Sequence, residues 1–224
     1  MRVLLKASTC IVGLSLGSWL ALVDCSFALA GEINGRVIGP DGEGIAQAVV
    51  FVQTLPAGVS SPTPLAAAHM DQVNEQFAPT LLPIPVGTKV SFPNQDQIHH
   101  HVYSFSRAKR FEIPLYRGEE EAPIVFDKAG VVKVGCNIHD WMAGIILVVP
   151  TPFYAVTAGD GSFTLRDLPA ATYPLVSWHE RSQTAVEETL QQILVDEKVP
   201  NVTFSLTLKS GGSRRPIRGS RGYR

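Results

Sequence analysis

The chain has 224 residues, 45% of them hydrophobic and 17% charged, with a formal net charge of −1. That apolar content excludes a disordered polyelectrolyte, and the near-neutral balance excludes a basic protein built to hold nucleic acid. The charge is unevenly spread: residues 31–208 carry 11 Lys and Arg against 19 Asp and Glu, a net −8, while six basic residues lie from Lys209 onward.

Residues 1–30 read as a secretory signal peptide, with Arg2 and Lys6, an apolar stretch from about Ile11 to Val23, and Ala28-Leu29-Ala30 before Gly31. The stretch falls short of the roughly 20 apolar residues of a spanning helix. Export to the periplasm is therefore expected, an uncleaved anchor being the alternative, and Val23-Asp24 argue against lipid attachment at Cys25. With Cys10 and Cys25 in the leader, Cys136 is the single thiol of the mature chain. It forms no internal disulfide, and an unpaired thiol in an oxidising compartment calls for something to hold it, such as a metal.

The mature chain is expected to be all-β. Short runs rich in Val, Ile, Phe, Thr and Tyr alternate with Gly, Pro, Asn and Asp. The predicted strands are 32–37, 46–54, 89–92, 101–105, 123–126, 131–134, 144–149, 162–165, 173–178 and 201–208. Only 186–195 has mixed helical and strand character. The Asn201-Val202-Thr203 sequon reads as part of a strand, and residues 56–68, rich in Pro, Ser and Ala, read as a linker. The tail 210–224 is basic, nearly free of apolar residues and expected to be disordered.

Two separated stretches belong together. Residues 35–52 and, about a hundred residues later, Asp160-Gly161, the alternating Phe163 and Leu165, and the corner Leu168-Pro169 to Tyr173 resemble the two halves of the transthyretin-like, carboxypeptidase-regulatory family of β-sandwiches. Asp160-Gly161 is itself a tight-turn signal. Ala171 stands where that family usually has Gly. The resemblance implies a discontinuous sandwich, 31–55 and 151–209, that receives 69–150 as an insertion; a continuous sandwich with an N-terminal extension is the other arrangement.

Within the insertion, Cys136, His139 and Met142 place a thiolate, an imidazole and a thioether at every third position, so one tight loop offers three donors. With a second imidazole, this set suits both oxidation states of copper. Zinc favours four strong N, S or O donors, and Met is a poor one. Residues 85–102, with Gly87, Val90, Asn94, Asp96 and His100, resemble the first copper-ligand region of cupredoxins such as plastocyanin and amicyanin, and Cys136 to Met142 resembles their second.

The resemblance implies a Greek-key β-sandwich holding one type 1 (blue) copper through His100, Cys136, His139 and Met142. His99 or His101 is the alternative to His100, and core packing the alternative for Met142. Where many cupredoxins have Asn after the first His ligand, this chain has His101. Along a strand His99 and His101 should point away from His100, as surface imidazoles or a second metal site. His69, His179 and Met70 read as structural, and Glu119-Glu120-Glu121 as an acidic loop, solvated or steering a basic partner.

The function implied is a periplasmic carrier of single electrons, similar to the group labelled methylamine utilization proteins. Its partners would be periplasmic redox proteins, with a dehydrogenase or a cytochrome among the candidates, and not nucleic acid; membrane association is expected only through an uncleaved signal or the basic tail. No enzymatic activity is expected. A trinuclear oxidase cluster needs more His-x-His pairs than His99-x-His101, a nitrite reductase uses His where Gly135 stands, and a binuclear centre needs two Cys. A copper-binding or carrier module without electron transfer is the other reading.

Overall fold

The computed structural model describes residues 31–61, 67–118 and 122–210. The expected signal peptide, the Glu119–Glu121 run, the middle of the expected linker and the tail beyond Ser210 lie outside the described residues. Among the described residues the chain is all-β apart from a single 3-10 turn, Val186–Thr189, and no helix is long and apolar enough to cross a membrane.

Two sheets form from the chain on either side of the central block. In one, Gly31–Ile38 lies between Ser162–Leu168, antiparallel, and Asn201–Ser205, parallel. In the other, Val49–Val52 pairs with Tyr154–Val156 and with Ala171–Trp178, which in turn pairs with Gln191–Val195. Ile33, Val37, Val50, Val52, Leu165, Tyr173, Leu175 and Phe204 fill the space between them.

Among the described residues, the strands of the central block pair only with one another. Its five-stranded sheet runs Leu81–Pro85, Ala143–Val149, Gly130–Gly135, His100–Phe105 and Arg110–Tyr116. A three-stranded sheet of Ile124–Phe126, Thr88–Ser91 and Ala68–His69 and the hairpin Asp71–Val73/Gln76–Ala78 complete it. Phe77, Val90, Phe92, Val102, Phe126, Val132 and Ile146 make its core, and Cys136 and Met142 belong to the same cluster.

A third cluster joins the two sandwiches, and it explains two apolar runs that do not alternate. In Val49–Val52 all four residues are buried: Val50 and Val52 face the outer core, Val49 and Phe51 the central block. In Ala143–Val149 the same division sends Ile146 and Val148 inward and Leu147 and Val149 toward Phe51 and Val176. Strands covered on both faces lose the alternating pattern because neither side meets water.

Several strands escaped the sequence reading. Leu81–Pro85 carries two prolines, yet it is an edge strand, where a missing N–H is tolerated. Arg110–Tyr116, also at an edge, hides behind Arg110, Glu112 and Pro114. The mixed segment 186–195 divides into the 3-10 turn and the strand Gln191–Val195. At the two ends of the expected linker, Leu55 and Val59 pack on the outer core and Ala68 on the central one.

The wild-type chain should melt in one calorimetric transition, and Leu147→Asp should split it in two, since an unpaired carboxylate between the sandwiches is costly to bury. A single transition for Leu147→Asp, shifted by less than about 0.5 kcal/mol, would show that this cluster does not couple them.

Candidate metal centre

The site is assembled by one hairpin and one strand end. Gly130–Gly135 and Ala143–Val149 pair in the register Gly135↔Ala143, so the six residues after Cys136 must return within one strand spacing. The loop closes through the Cys136 N–H donating to the Met142 carbonyl at 3.2 Å and the Met142 N–H donating to the His139 carbonyl at 2.9 Å. Cys136 and Met142 are both buried at its two ends, while His139, at the tip, is partly exposed. His100 opens the neighbouring strand His100–Phe105 and is fully buried.

The three donors converge. Nδ1 of His100 lies 3.1 Å from Nδ1 of His139, and the Cys136 Sγ is 3.9 Å from the first and 3.6 Å from the second. Among the described residues this is the one group of three or more His, Cys, Asp or Glu whose donor atoms all lie within 4.8 Å of one another. Such separations fit a shared transition-metal ion about 2.0 Å from nitrogen and 2.3 Å from sulfur. The donors are two imidazoles and a thiol, the strong part of a copper site, and Met142 supplies the only thioether in the closing loop.

The other histidines go elsewhere. His101 turns to the opposite face of its strand, where Nε2 meets the Glu112 carboxylate at 2.9 Å and the ring packs on Tyr103. His99 is exposed at the rim of the site, and neither it nor His101 joins the cluster of His100, Cys136 and His139. His69 meets the Ser91 hydroxyl. His179, in the outer sandwich, accepts the Arg181 N–H through Nδ1, and burial pushes its pKa down.

Three features of the site were not legible. The first is Asp96, used in the sequence only to count to His100: its Oδ2 lies 2.8 Å from Nε2 of His100. Burial pushes the carboxyl up, but N–H groups of Glu75 and Asn74 and the His100 ring outweigh it and hold the pKa below the usual value. The second is the glycine before Cys136. A Cβ there would stand 3.2 Å from the Tyr103 ring, so the ring occupies the space a side chain would need. The third is an apolar depression around His139, lined by Ile98, His99, Leu115 and Ile138. Its apolar residues and the adjacent Trp141 are 42–55% exposed, although burial is where such side chains normally go.

No protein-family model matches the chain, and no curated protein matches it. Solved structures do. One is a purple cupredoxin from Nitrosopumilus maritimus, with 29% identity over 37% of this chain and 99% of that one, at a TM-score of 0.33. Another is a copper-containing nitrite reductase from Thermus scotoductus, with 31% identity over 43% of this chain at a TM-score of 0.35. This chain spans only 25% of that reductase. A third is a reduced amicyanin variant, with 20% identity over 44% of this chain and 97% of that one, at a TM-score of 0.34.

Gly135→Val should cost about 1–3 kcal/mol in urea unfolding, because the new side chain must displace the Tyr103 ring. In a Tyr103→Ala background the cost should fall by about 1 kcal/mol; additive effects would contradict the contact.

Proposed function

We propose that the chain is an exported cupredoxin that holds one type 1 copper on His100, Cys136, His139 and Met142 and carries single electrons between periplasmic redox proteins. The observation that carries this reading is the donor triangle of His100, His139 and Cys136, with separations of 3.1–3.9 Å, two of its members buried. The similar run of residues in the methylamine utilization group adds a suspected pathway.

When bound, copper supplies a one-electron couple. The chain's own residues do the rest. His100 and Cys136 are held in the packed interior, where the donors have little room to rearrange and water is excluded. His139 lies at the surface end of the site, amid Ile98, Leu115, Ile138 and Trp141. These four exposed apolar side chains suit brief docking of a redox partner over a small area. A copper carrier, the second reading, draws on the same partial exposure of His139.

The outer sandwich, residues 31–55 with 151–209, fits a transthyretin-like domain that receives a cupredoxin domain at 69–150. Supporting this, strands on the two sides of the block share sheets, Gly161 takes the turn with φ of 80°, and the Tyr173 hydroxyl donates to the Pro169 carbonyl at 2.8 Å.

One equivalent of Cu(II) added to residues 31–224 should give an intense thiolate-to-copper absorption band and narrow hyperfine splitting in electron paramagnetic resonance, both lost in Cys136→Ala. A colourless tetragonal signal that survives the substitution would sink the electron-carrier reading. Rapid loss of copper to a competing apo-protein in both oxidation states would favour the carrier instead.

A further inference from the structure

Behind the donor triangle lies a second set of contacts. The hairpin Asp71–Val73/Gln76–Ala78 turns at Asn74 and Glu75, both in the left-handed region with φ of 52° and 57°. This conformation is uncommon for residues with side chains and aims two successive N–H groups to the same side. Both donate to Asp96, Asn74 to Oδ1 at 2.7 Å and Glu75 to Oδ2 at 2.9 Å. Asp96 is fixed from its own side as well, its N–H donating to the Asn94 Oδ1 at 2.9 Å. Asn94 is itself buried, its amide donating to the Ile98 and Tyr116 carbonyls at 2.9 and 3.0 Å.

Each oxygen of the carboxylate keeps one acceptor site beyond these two bonds, and the one on Oδ2 meets Nε2 of the fully buried His100 at 2.8 Å. An ionised carboxylate only accepts, so Nε2 carries the proton and Nδ1 is left as a lone pair facing Cys136 and His139. Among the described residues, His139 has no carboxylate partner; its ring neighbours are His100 and Trp141. The two imidazoles of the site are therefore unlike: one is backed by a fixed negative charge and the other faces the surface.

We propose that Asp96 is a positioning residue that locks the tautomer and orientation of His100 and raises its donor strength, with the Asn74–Glu75 turn holding Asp96 in place. A carboxylate behind a ligating imidazole makes it more basic, and the more highly charged state of the metal gains more from this. Asp96 thus favours the oxidised over the reduced ion. The proposal deepens the copper reading and rests on it for its redox part, whereas the tautomer part concerns the metal-free protein.

The test compares the full mature chain with Asp96→Asn, Asp96→Ala and Asp96→Glu, using copper as the probe. In Asp96→Asn the thiolate band should persist while the preference for Cu(II) over Cu(I) falls at least tenfold, which raises the potential by 59 mV for each factor of ten. Asp96→Glu should recover part of that shift, and Asp96→Ala should not. A retained band with a preference within twofold of wild type would overturn the redox part.

Nitrogen-15 NMR of the metal-free wild type should show His100 protonated on Nε2 alone, and Asp96→Ala should show mixed tautomers. Mixed tautomers in the wild type would overturn the positioning role. A wild type that gives no thiolate band would overturn the copper reading and with it the redox part, while the NMR result still decides whether Asp96 orients His100.

Discussion

Two imidazole nitrogens 3.1 Å apart, with a thiol 3.6 and 3.9 Å away, form the constraint on which the rest of the central block depends. Bringing three metal-binding groups together in a packed interior removes them from water, and such groups gain from burial only when they have a partner. The strand register Gly135↔Ala143 fixes the ends of the Cys136 to Met142 loop, and the adjacent strand delivers His100. The arrangement extends outward: the Tyr103 ring packs closely on Gly135, and Asp96 accepts from the two N–H groups of an unusual turn.

The outer sandwich supports this block without contributing a donor to the cluster. Val49, Phe51 and Val176 on one side and Leu147 and Val149 on the other exclude water from a face that each sandwich would otherwise expose. Ala143–Val149 follows directly on the donor loop, so its inward face packs beneath the site while its outward face binds the outer sandwich. Rigidity at the donors and attachment to the outer sandwich thus run through one strand, and a two-sided apolar strand is what the run from Ile145 to Val149 encodes.

The parts legible in the sequence were those written in local spacing. Cys136, His139 and Met142 share one loop, and the all-β pattern follows from runs such as Val131–Val134 and Tyr173–Trp178 that recur between turn residues. His100 was found through its distance from Asp96, and the structure puts it beside the loop donors. What spacing does not encode is contact across the fold. Asp96 looked like a counting mark because its partners at 74 and 75 lie 22 and 21 residues away. Gly135 looked like a difference from a reductase, and only the fold shows that it lies against the Tyr103 ring of the adjacent strand. The strands at 81–85 and 110–116 were hidden because edge positions tolerate Pro and charge. Ile98, Leu115 and Ile138 are far apart in the chain, so only the fold reveals one apolar rim.

The central claim is that the fold preforms a copper site on these donors. Its most direct test is a pair of crystal structures of residues 31–224, metal-free and after loading with one equivalent of copper, with the ion located by anomalous scattering. The account predicts one ion between His100 Nδ1, His139 Nδ1 and Cys136 Sγ, with the Met142 sulfur nearest along the remaining direction and the donors displaced by less than about 0.5 Å between the two states. Copper held at His99 or His101 with the Cys136 thiol left free, or a donor loop that must rebuild to bind the ion, would contradict it.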